Sequence, residues 1–349
     1  MRYRTLGGTG IEVSTYCLGA MMFGFVGNPD HDDCGRIVAE ALEQGINIID
    51  TADMYSSGES ETIVGKALRG RRDDVVLATK VHFPMGEGPN RGGNSRRWIT
   101  RAVEDSLRRL DTDWIDLYQV HRPDENTDIE ETLGVLSDLV RAGKIRAFGC
   151  STFPVEQIVE SHHVAERRGL GRFRTEQPPY SLLARQIESA VLPACQRYGM
   201  GVLVWSPLAS GFLTGRYRKD RPVDLTSGRP AITPARFDPT LPANAAKYDA
   251  VEQLTALAEE LGRSLPELAL AFTTAHPAVT STIIGPRTVG QLQGLLKAAD
   301  LALDDATLDR IDAIVPPGAN LYPPDGVWRP SAIADPTRRR RPTHDRAAA

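Results

Sequence analysis

Apolar residues along the chain follow two rhythms that alternate. Runs such as Val75–Lys80, Ile115–Val120 and Ile145–Cys150 are short and dense in apolar residues, as buried strands are, while the stretches between them repeat apolar residues every three or four positions. From Arg97 to Leu110 this spacing puts Val103, Leu107 and Leu110 on one helix face. From Ile129 to Arg141 it aligns Leu133, Leu136 and Val140, with Gly143 as the stop. The same reading places strands at Ile46–Asp50, Phe173–Gln177, Val202–Trp205 and Thr280–Ile284. A strand ending at Leu18 leads through Gly19 to the helical segment DCGRIVAEALEQG, whose Ile37, Ala41 and Leu42 share a face and whose Gly45 ends it.

Counted together these strands number eight, spaced at roughly the thirty residues of a βαβ unit. An α/β fold follows, and eight repeats predict a closed (β/α)8 TIM barrel. A doubly wound open sheet is the alternative, yet Leu18-Gly19-Ala20-Met21-Met22-Phe23-Gly24 after the first strand lacks the GxGxxG dinucleotide fingerprint. Ahead of the barrel, Arg2–Leu6 and Ile11–Val13 flank Gly7-Gly8-Thr9-Gly10 and read as an N-terminal β-hairpin. Two long segments interrupt the repeat: Pro207–Ala246, rich in Pro, Gly and Arg, and the tail from Pro316. A loop as long as the first, on the C-terminal face of a barrel, is expected to fold over the mouth and shape access. The expected organisation is a barrel domain over 1–315 and a partly flexible tail over 316–349, in which Arg338–Arg341, beside Pro336 and Pro342, read as solvated chain.

Charge and composition bear mainly on partners. A formal net charge of -4 and a pI of about 6.0 give no electrostatic reason to expect nucleic acid or an anionic membrane. No run approaches the roughly 18 apolar residues of a membrane helix, and the start MRYRTLGGTGIEV has no apolar signal core, so a cytoplasmic location is expected. Cys17, Cys34, Cys150 and Cys195 are widely spaced and form no CxxC, as reduced thiols would be.

Candidate chemistry lies in four residues, Asp50, Tyr55, Lys80 and His121, which the pattern places at the ends of three successive strands. Each has a plain structural reading: Asp50 as a turn cap, Tyr55 as a packed aromatic, Lys80 as a solvated strand end, His121 as a hydrogen-bond donor. Together they fit one site, because barrel enzymes gather catalytic groups from several strand ends on that face. Tyr55 carries a neutral phenol able to donate a proton to an oxygen that gains negative charge. Its ordinary pKa of about 10 is high for that task, so a cation such as Lys80 would help by stabilising the phenolate. Asp50 would compensate a buried Lys80, and His121 would orient a carbonyl oxygen.

At these residues the chain resembles the aldo-keto reductase superfamily. Asp50-Thr51-Ala52-Asp53-Met54-Tyr55-Ser56-Ser57-Gly58-Glu59-Ser60-Glu61 is similar to the family's aspartate and tyrosine signature, and Ala78-Thr79-Lys80 to its lysine motif. Leu117-Tyr118-Gln119-Val120-His121-Arg122-Pro123, Gly149-Cys150-Ser151-Thr152-Phe153 and Gln177-Pro178-Pro179-Tyr180-Ser181 continue the resemblance. So do Trp205 through Gly215 and Ile284 through Gln291, from about residue 3 to about 315 in all. The resemblance implies reduction of aldehydes or ketones by NADPH, with a small-molecule carbonyl compound as partner and the hydride coming from the cofactor. It implies Tyr55 as proton donor, Lys80 and Asp50 as its tuners and His121 as carbonyl guide. For the cofactor it implies Ser151, Thr152 and Gln177 at the nicotinamide carboxamide, Trp205 stacked on the ring, and Ser206, Leu208 and Gly211 on the loop over the pyrophosphate. Gly285, Arg287 and Gln291 fall in the final segment, where Arg287 would meet the adenosine 2′-phosphate and favour NADP over NAD.

The chain also departs from that pattern. Leu295 stands where many relatives carry an asparagine facing the adenine, Gly294 replaces a common glutamate, and Thr152 replaces a frequent asparagine. Candidate substrate walls are Met22, Phe23, Met54, His82, Phe83 and Trp328, an apolar and partly aromatic mouth that leaves substrate identity and oligomeric state open. No metal is expected: the seven histidines include no HxH, and adjacent His162 and His163 point apart on a helix. The alternative to an enzyme is a regulatory subunit that binds the cofactor and turns over slowly or not at all.

Overall fold

Tyr3–Thr5 (β1) and Glu12–Ser14 (β2) pair antiparallel across a turn at Gly7–Thr9, forming the predicted hairpin. Eight parallel strands follow: Tyr16–Gly19 (β3), Ile48–Asp50 (β4), Val76–Val81 (β5), Ile115–Val120 (β6), Ile145–Cys150 (β7), Thr175–Glu176 (β8), Gly201–Val204 (β9) and Ser281–Ile284 (β10). They pair in sequence order, and β10 closes onto β3, so the sheet is the closed (β/α)8 barrel that the repeats predict rather than an open sheet. This computed structural model describes residues 1–226, 228–326 and 328–330.

Helices pack around the barrel: His31–Glu43 (α1), Glu59–Ala67 (α2), Arg96–Leu110 (α3), Ile129–Arg141 (α4), Val155–Arg168 (α5) and Val191–Tyr198 (α6). Between β9 and β10 lie Gly228–Ile232 (α7), Ala245–Glu260 (α8) and Leu265–Ala275 (α9). Val289–Leu296 (α10) and Asp305–Ile314 (α11) follow β10. Local chemistry sets their ends. Asp30 accepts from the Asp32 and Asp33 N–H groups at the start of α1, and Ser264 and Glu267 form a reciprocal capping box at α9. On α3 the buried stripe Ile99, Ala102, Val103, Leu107 and Leu110 faces the sheet.

β8 has only two residues where five are predicted, and Pro178 and Pro179, which supply no ladder N–H, keep it from running on past Gln177. Trp205 lies just past β9, in an isolated bridge with Pro179.

Two apolar clusters hold the barrel. The larger fills the layer between sheet and helices. The smaller lies inside the barrel and is built from Cys17, Ile48, Ala78, Leu117, Ala147, Leu203 and Ile283, with Leu6 and Val13 of the hairpin region closing it from below. That closure needs Gly7, whose φ is +56° and whose missing Cβ would lie 2.6 Å from both the Arg174 carbonyl oxygen and the Gly201 nitrogen.

The tail set apart in the sequence begins as packed chain. The Arg185 N–H donates to the Ala319 oxygen, the Leu321 N–H to the Leu183 oxygen, and Ala319 and Leu321 rest on the main core. The Arg338–Arg341 run lies outside the described residues. The four cysteines are free and buried. Among the described residues no group of three or more His, Cys, Asp or Glu could hold a metal ion, and no helix is long and apolar enough to cross a membrane.

Candidate active site at the barrel mouth

On the three neighbouring strands β4, β5 and β6 the residues two positions beyond the inner apolar layer are polar, and with Gln177 they converge. Asp50 ends β4, Lys80 lies on β5, Gln119 on β6, and Gln177 just follows β8. The Lys80 ammonium, 0% exposed, donates to Asp50 Oδ2 at 2.6 Å, to the Thr51 carbonyl oxygen at 2.8 Å and to the Tyr55 hydroxyl at 3.2 Å. Its three protons are thereby matched by three acceptors. Asp50 Oδ1 accepts from Gln177 Nε2 at 2.8 Å and from Gln119 Nε2 at 3.3 Å, so its charge is also compensated.

Tyr55 is not at a strand end. It opens the turn Tyr55–Gly58 between β4 and α2, in which Ser56 and Ser57 take left-handed φ values of 47° and 54°. Several bonds hold this strained turn in place. Ser56 Oγ donates to the Phe23 oxygen at 3.0 Å, and the Asp53 N–H reaches the Lys80 oxygen at 3.2 Å. Behind it, buried Glu61 of α2 accepts from Thr79 Oγ1 on β5 and from Arg109 Nε on α3, each at 2.6 Å.

His121 follows β6, its N–H bonded to the Val81 oxygen at 2.9 Å and its ring edge-on to Tyr55 at 5.7 Å and to Phe83 at 5.0 Å between centroids. Burial, then the charges of Lys80, Arg122 and His82, hold its pKa well below the ordinary histidine value, so the imidazole is neutral and Nδ1 has no partner. For Tyr55, burial raises the phenol pKa more than Lys80 lowers it, and the net direction is up. The expected assistance from Lys80 is present but outweighed. On Lys80 itself burial lowers the pKa, while Asp50 and Tyr55 more than reverse this, so the ammonium stays charged. Because Lys80 donates to the Tyr55 oxygen, the phenol keeps its own proton for another acceptor.

The other predicted residues divide. Ser151 Oγ donates to the Gln177 carbonyl oxygen at 2.7 Å, which ties the β7 and β8 ends together. Thr152 sits in a left-handed turn at φ 58° with its hydroxyl donating to the Ser151 oxygen at 2.6 Å, and the Gln177 amide nitrogen is engaged by Asp50. Ser206 Oγ accepts the Ser210 N–H at 3.0 Å, and Leu208 packs against the core. Gly211, at φ +96°, has open space where a Cβ would point. Trp205 is half-buried near Arg122, whose guanidinium carbon is 5.9 Å from its ring centroid. Gly285 and Arg287 are exposed, with Gln291 Oε1 accepting the Arg287 N–H at 2.9 Å.

Among the proposed walls, Phe83 flanks His121 and Met54 is exposed beside Tyr55. His82 is half-buried and bonded through Nδ1 to Asn94 Oδ1. Met22 is half-buried with its sulfur 3.6 Å from Arg229 Nη2, and Trp328 is half-buried in the chain beyond the turn at Pro323–Asp325. Phe23 is a correction: it is fully buried in the main core and forms no wall. Leu295, too, packs against that core.

Sequence reasoning missed Arg122, Arg229 and Arg236. Burial lowers the Arg229 pKa, and Arg236 and Arg287 lower it further, so charges from the long loop and from the β10 end are close enough to repel. Arg236 Nη1 donates to Ser210 Oγ at 3.0 Å, and its other terminal nitrogen pairs with Asp325 at 2.7 Å. Long loop and tail thus meet beside a small cleft lined in part by Tyr180, Trp205, Ser206 and Ser210. The arginine content of Pro207–Ala246 was the available signal.

The buried Lys80–Asp50 pair and Tyr55 lie together at the C-terminal mouth of a parallel barrel, the face on which barrel enzymes build their active sites. Residues 16–316 match the aldo/keto reductase family, and the chain belongs to that family. It is 39% identical to the uncharacterized oxidoreductase YrpG of Bacillus subtilis (strain 168), over 94% of this chain and 100% of that one. It is 36% identical to the aldo-keto reductase YhdN of the same organism, over 97% and 99% of the two chains. A probable voltage-gated potassium channel subunit beta of Oryza sativa subsp. japonica is also 36% identical, over 90% of this chain and 97% of that one.

Proposed function

We propose that the protein reduces aldehydes or ketones to alcohols with NADPH, Tyr55 giving the proton. The observation that carries this reading is the Lys80 ammonium, donating at once to Asp50, the Thr51 oxygen and Tyr55, which leaves the phenol proton free for a substrate oxygen. NADPH, when bound, supplies the hydride. Neutral His121, beside the Tyr55 ring, orients the carbonyl oxygen by donating a hydrogen bond. Lys80 holds the phenol oxygen in place and stabilises the phenolate left after transfer, while Asp50 keeps the ammonium charged inside the barrel.

The residues suit a phosphorylated dinucleotide. Arg236 and Arg287 both act on Arg229 as like charges, and a phosphate group beside it would relieve that repulsion. Flat, half-buried Trp205 and the Ser151 end of β7 suit a nicotinamide and its carboxamide. Preference for NADPH rests on Arg287, and its replacement by alanine is expected to cut NADPH use while leaving NADH use nearly unchanged.

A second reading is a regulatory subunit, favoured by the likeness to the potassium channel β subunits. Presence of all four catalytic groups favours the enzyme. Mixing the protein with excess NADPH and a panel of aldehydes, ketones and quinones separates the two. Many cofactor equivalents oxidised per chain is the expected result; one equivalent or none across the panel would select the regulatory reading.

A further inference from the structure

Arg122 directly follows His121, and nothing in the chemistry above uses it. It is half-buried, and Nη1 donates to the His121 carbonyl oxygen at 2.6 Å. Its guanidinium carbon lies 5.7 Å from the Phe83 ring centroid and 5.9 Å from that of Trp205. The fork therefore lies within reach of both the ring that flanks His121 and the Trp205 ring just past β9. Its charge acts on both Tyr55 and His121, which places it beside the reacting groups.

What Arg122 lacks is an anion. Several other arginines of similar burial have one: Arg72 pairs with Asp116, Arg109 with Glu61, Arg185 with Glu188 and Asp312, and Arg236 with Asp325. Arg4, also half-buried, donates to two carbonyl oxygens. Among the described residues no carboxylate lies within ion-pair distance of Arg122. Glu176 and the Tyr55 phenol act on it only through space, and burial is the main influence that lowers its pKa. A guanidinium has five donors in a planar fork, and one of these is used here. Holding a half-desolvated cation without a partner is costly, and such a cost is met where a ligand brings the partner.

We propose that Arg122 makes this site selective for aldehydes or ketones that carry a carboxylate, which the guanidinium receives between the Phe83 and Trp205 rings while the carbonyl lies at Tyr55 and His121. A planar carboxylate matches the fork, and the two rings bound the body that joins it to the carbonyl. The inference rests on the carbonyl-reducing reading of the same site and names the substrate class that reading leaves open.

Its test is kcat/KM on matched pairs, each an acid against a neutral analogue of the same skeleton: 4-carboxybenzaldehyde against methyl 4-formylbenzoate, and succinic semialdehyde against its methyl ester. Wild type is expected to favour the acid by about 10- to 100-fold, the range of a charge-assisted hydrogen bond. That preference should shrink in high salt, fall to near unity in Arg122→Met and be partly kept in Arg122→Lys. Only ratios within one protein are compared, so a general loss of activity in a variant does not enter. An acid no better than its ester in wild type overturns the proposal without any variant. Equal losses on acid and ester in Arg122→Met overturn it as well, and assign Arg122 to the phenol. Reduction of neither compound would sink the carbonyl-reducing reading itself, and this inference with it.

Discussion

On the inward face of three barrel strands, a step of two positions leads from an apolar layer to a polar one: Ile48 to Asp50 on β4, Ala78 to Lys80 on β5, Leu117 to Gln119 on β6. The lower layer is apolar, closed beneath by Leu6 and Val13, and held by side-chain packing. The upper one is equally buried but is held by a connected set of hydrogen bonds among charged and amide groups. One strand direction thus carries an apolar floor and a polar ceiling, and period-two alternation keeps both on the same face. A buried polar layer must be fully satisfied to be tolerated, so the residues of the proposed site also carry a structural liability.

The largest expected effect comes from breaking the upper layer. Lys80→Met would strand the Asp50 carboxylate inside the barrel and lower stability by about 3–5 kcal/mol, the cost of removing one partner from a buried pair. Adding Asp50→Asn should return much of that stability in denaturant unfolding while turnover stays lost. If the double variant were no more stable than the single one, the upper layer would not be organised around that pair.

In the floor, Leu117→Ala should lower stability by about 2–5 kcal/mol through loss of buried apolar contact and the cavity left behind. Turnover per folded molecule should hold, as measured on the variant after confirming its fold by circular dichroism. A matching collapse of turnover would erase the division between the layers.

A smaller effect is read in pH. The unfolded chain takes up a proton at His121 near pH 6.5, whereas the folded chain, with that pKa pushed well down by burial and nearby cations, does so only at lower pH. The contribution of neutral His121 to stability is full above about pH 6.5 and falls with decreasing pH, by at most about 1.4 kcal/mol per pH unit, until the folded pKa is reached. Glu176 acts in the opposite sense. Its carboxyl is raised to about 7 by burial, so its contribution is full below about pH 4.5 and is lost as pH rises through about 7. The two slopes oppose each other between about pH 4.5 and pH 6.5. His121→Gln should therefore leave stability falling more steeply with rising pH in that interval than wild type does, and an unchanged profile would mean that His121 is not held neutral.

Much of this is legible in the sequence because residue type and strand position coincide. Asp50 and Lys80 each stand out as a charge in an apolar strand, and the strand repeats that close the barrel show directly in the periodicity. Tyr55 is harder to place, since the turn that carries it depends on left-handed serines that leave no mark in composition. Phe23 reads as a wall because it follows a strand, yet the Ser56 hydroxyl bonds its carbonyl and the loop folds the ring into the core. The contact between Arg236 and Asp325 joins segments remote in sequence, and no local pattern announces it. Nor does sequence show that Lys80 raises its own pKa through its partners while failing to bring Tyr55 below its usual value, for burial decides that balance.

Everything proposed for the polar layer turns on delivery of the proton by the Tyr55 phenol, held by Lys80. Single-turnover reduction of a reactive aldehyde by NADPH-loaded Tyr55→Phe, followed by loss of cofactor absorbance, tests it most directly. A rate about 10²- to 10⁴-fold below wild type is expected, the usual span of a lost general acid, in a protein that unfolds as wild type does. Reduction at the wild-type rate would contradict it.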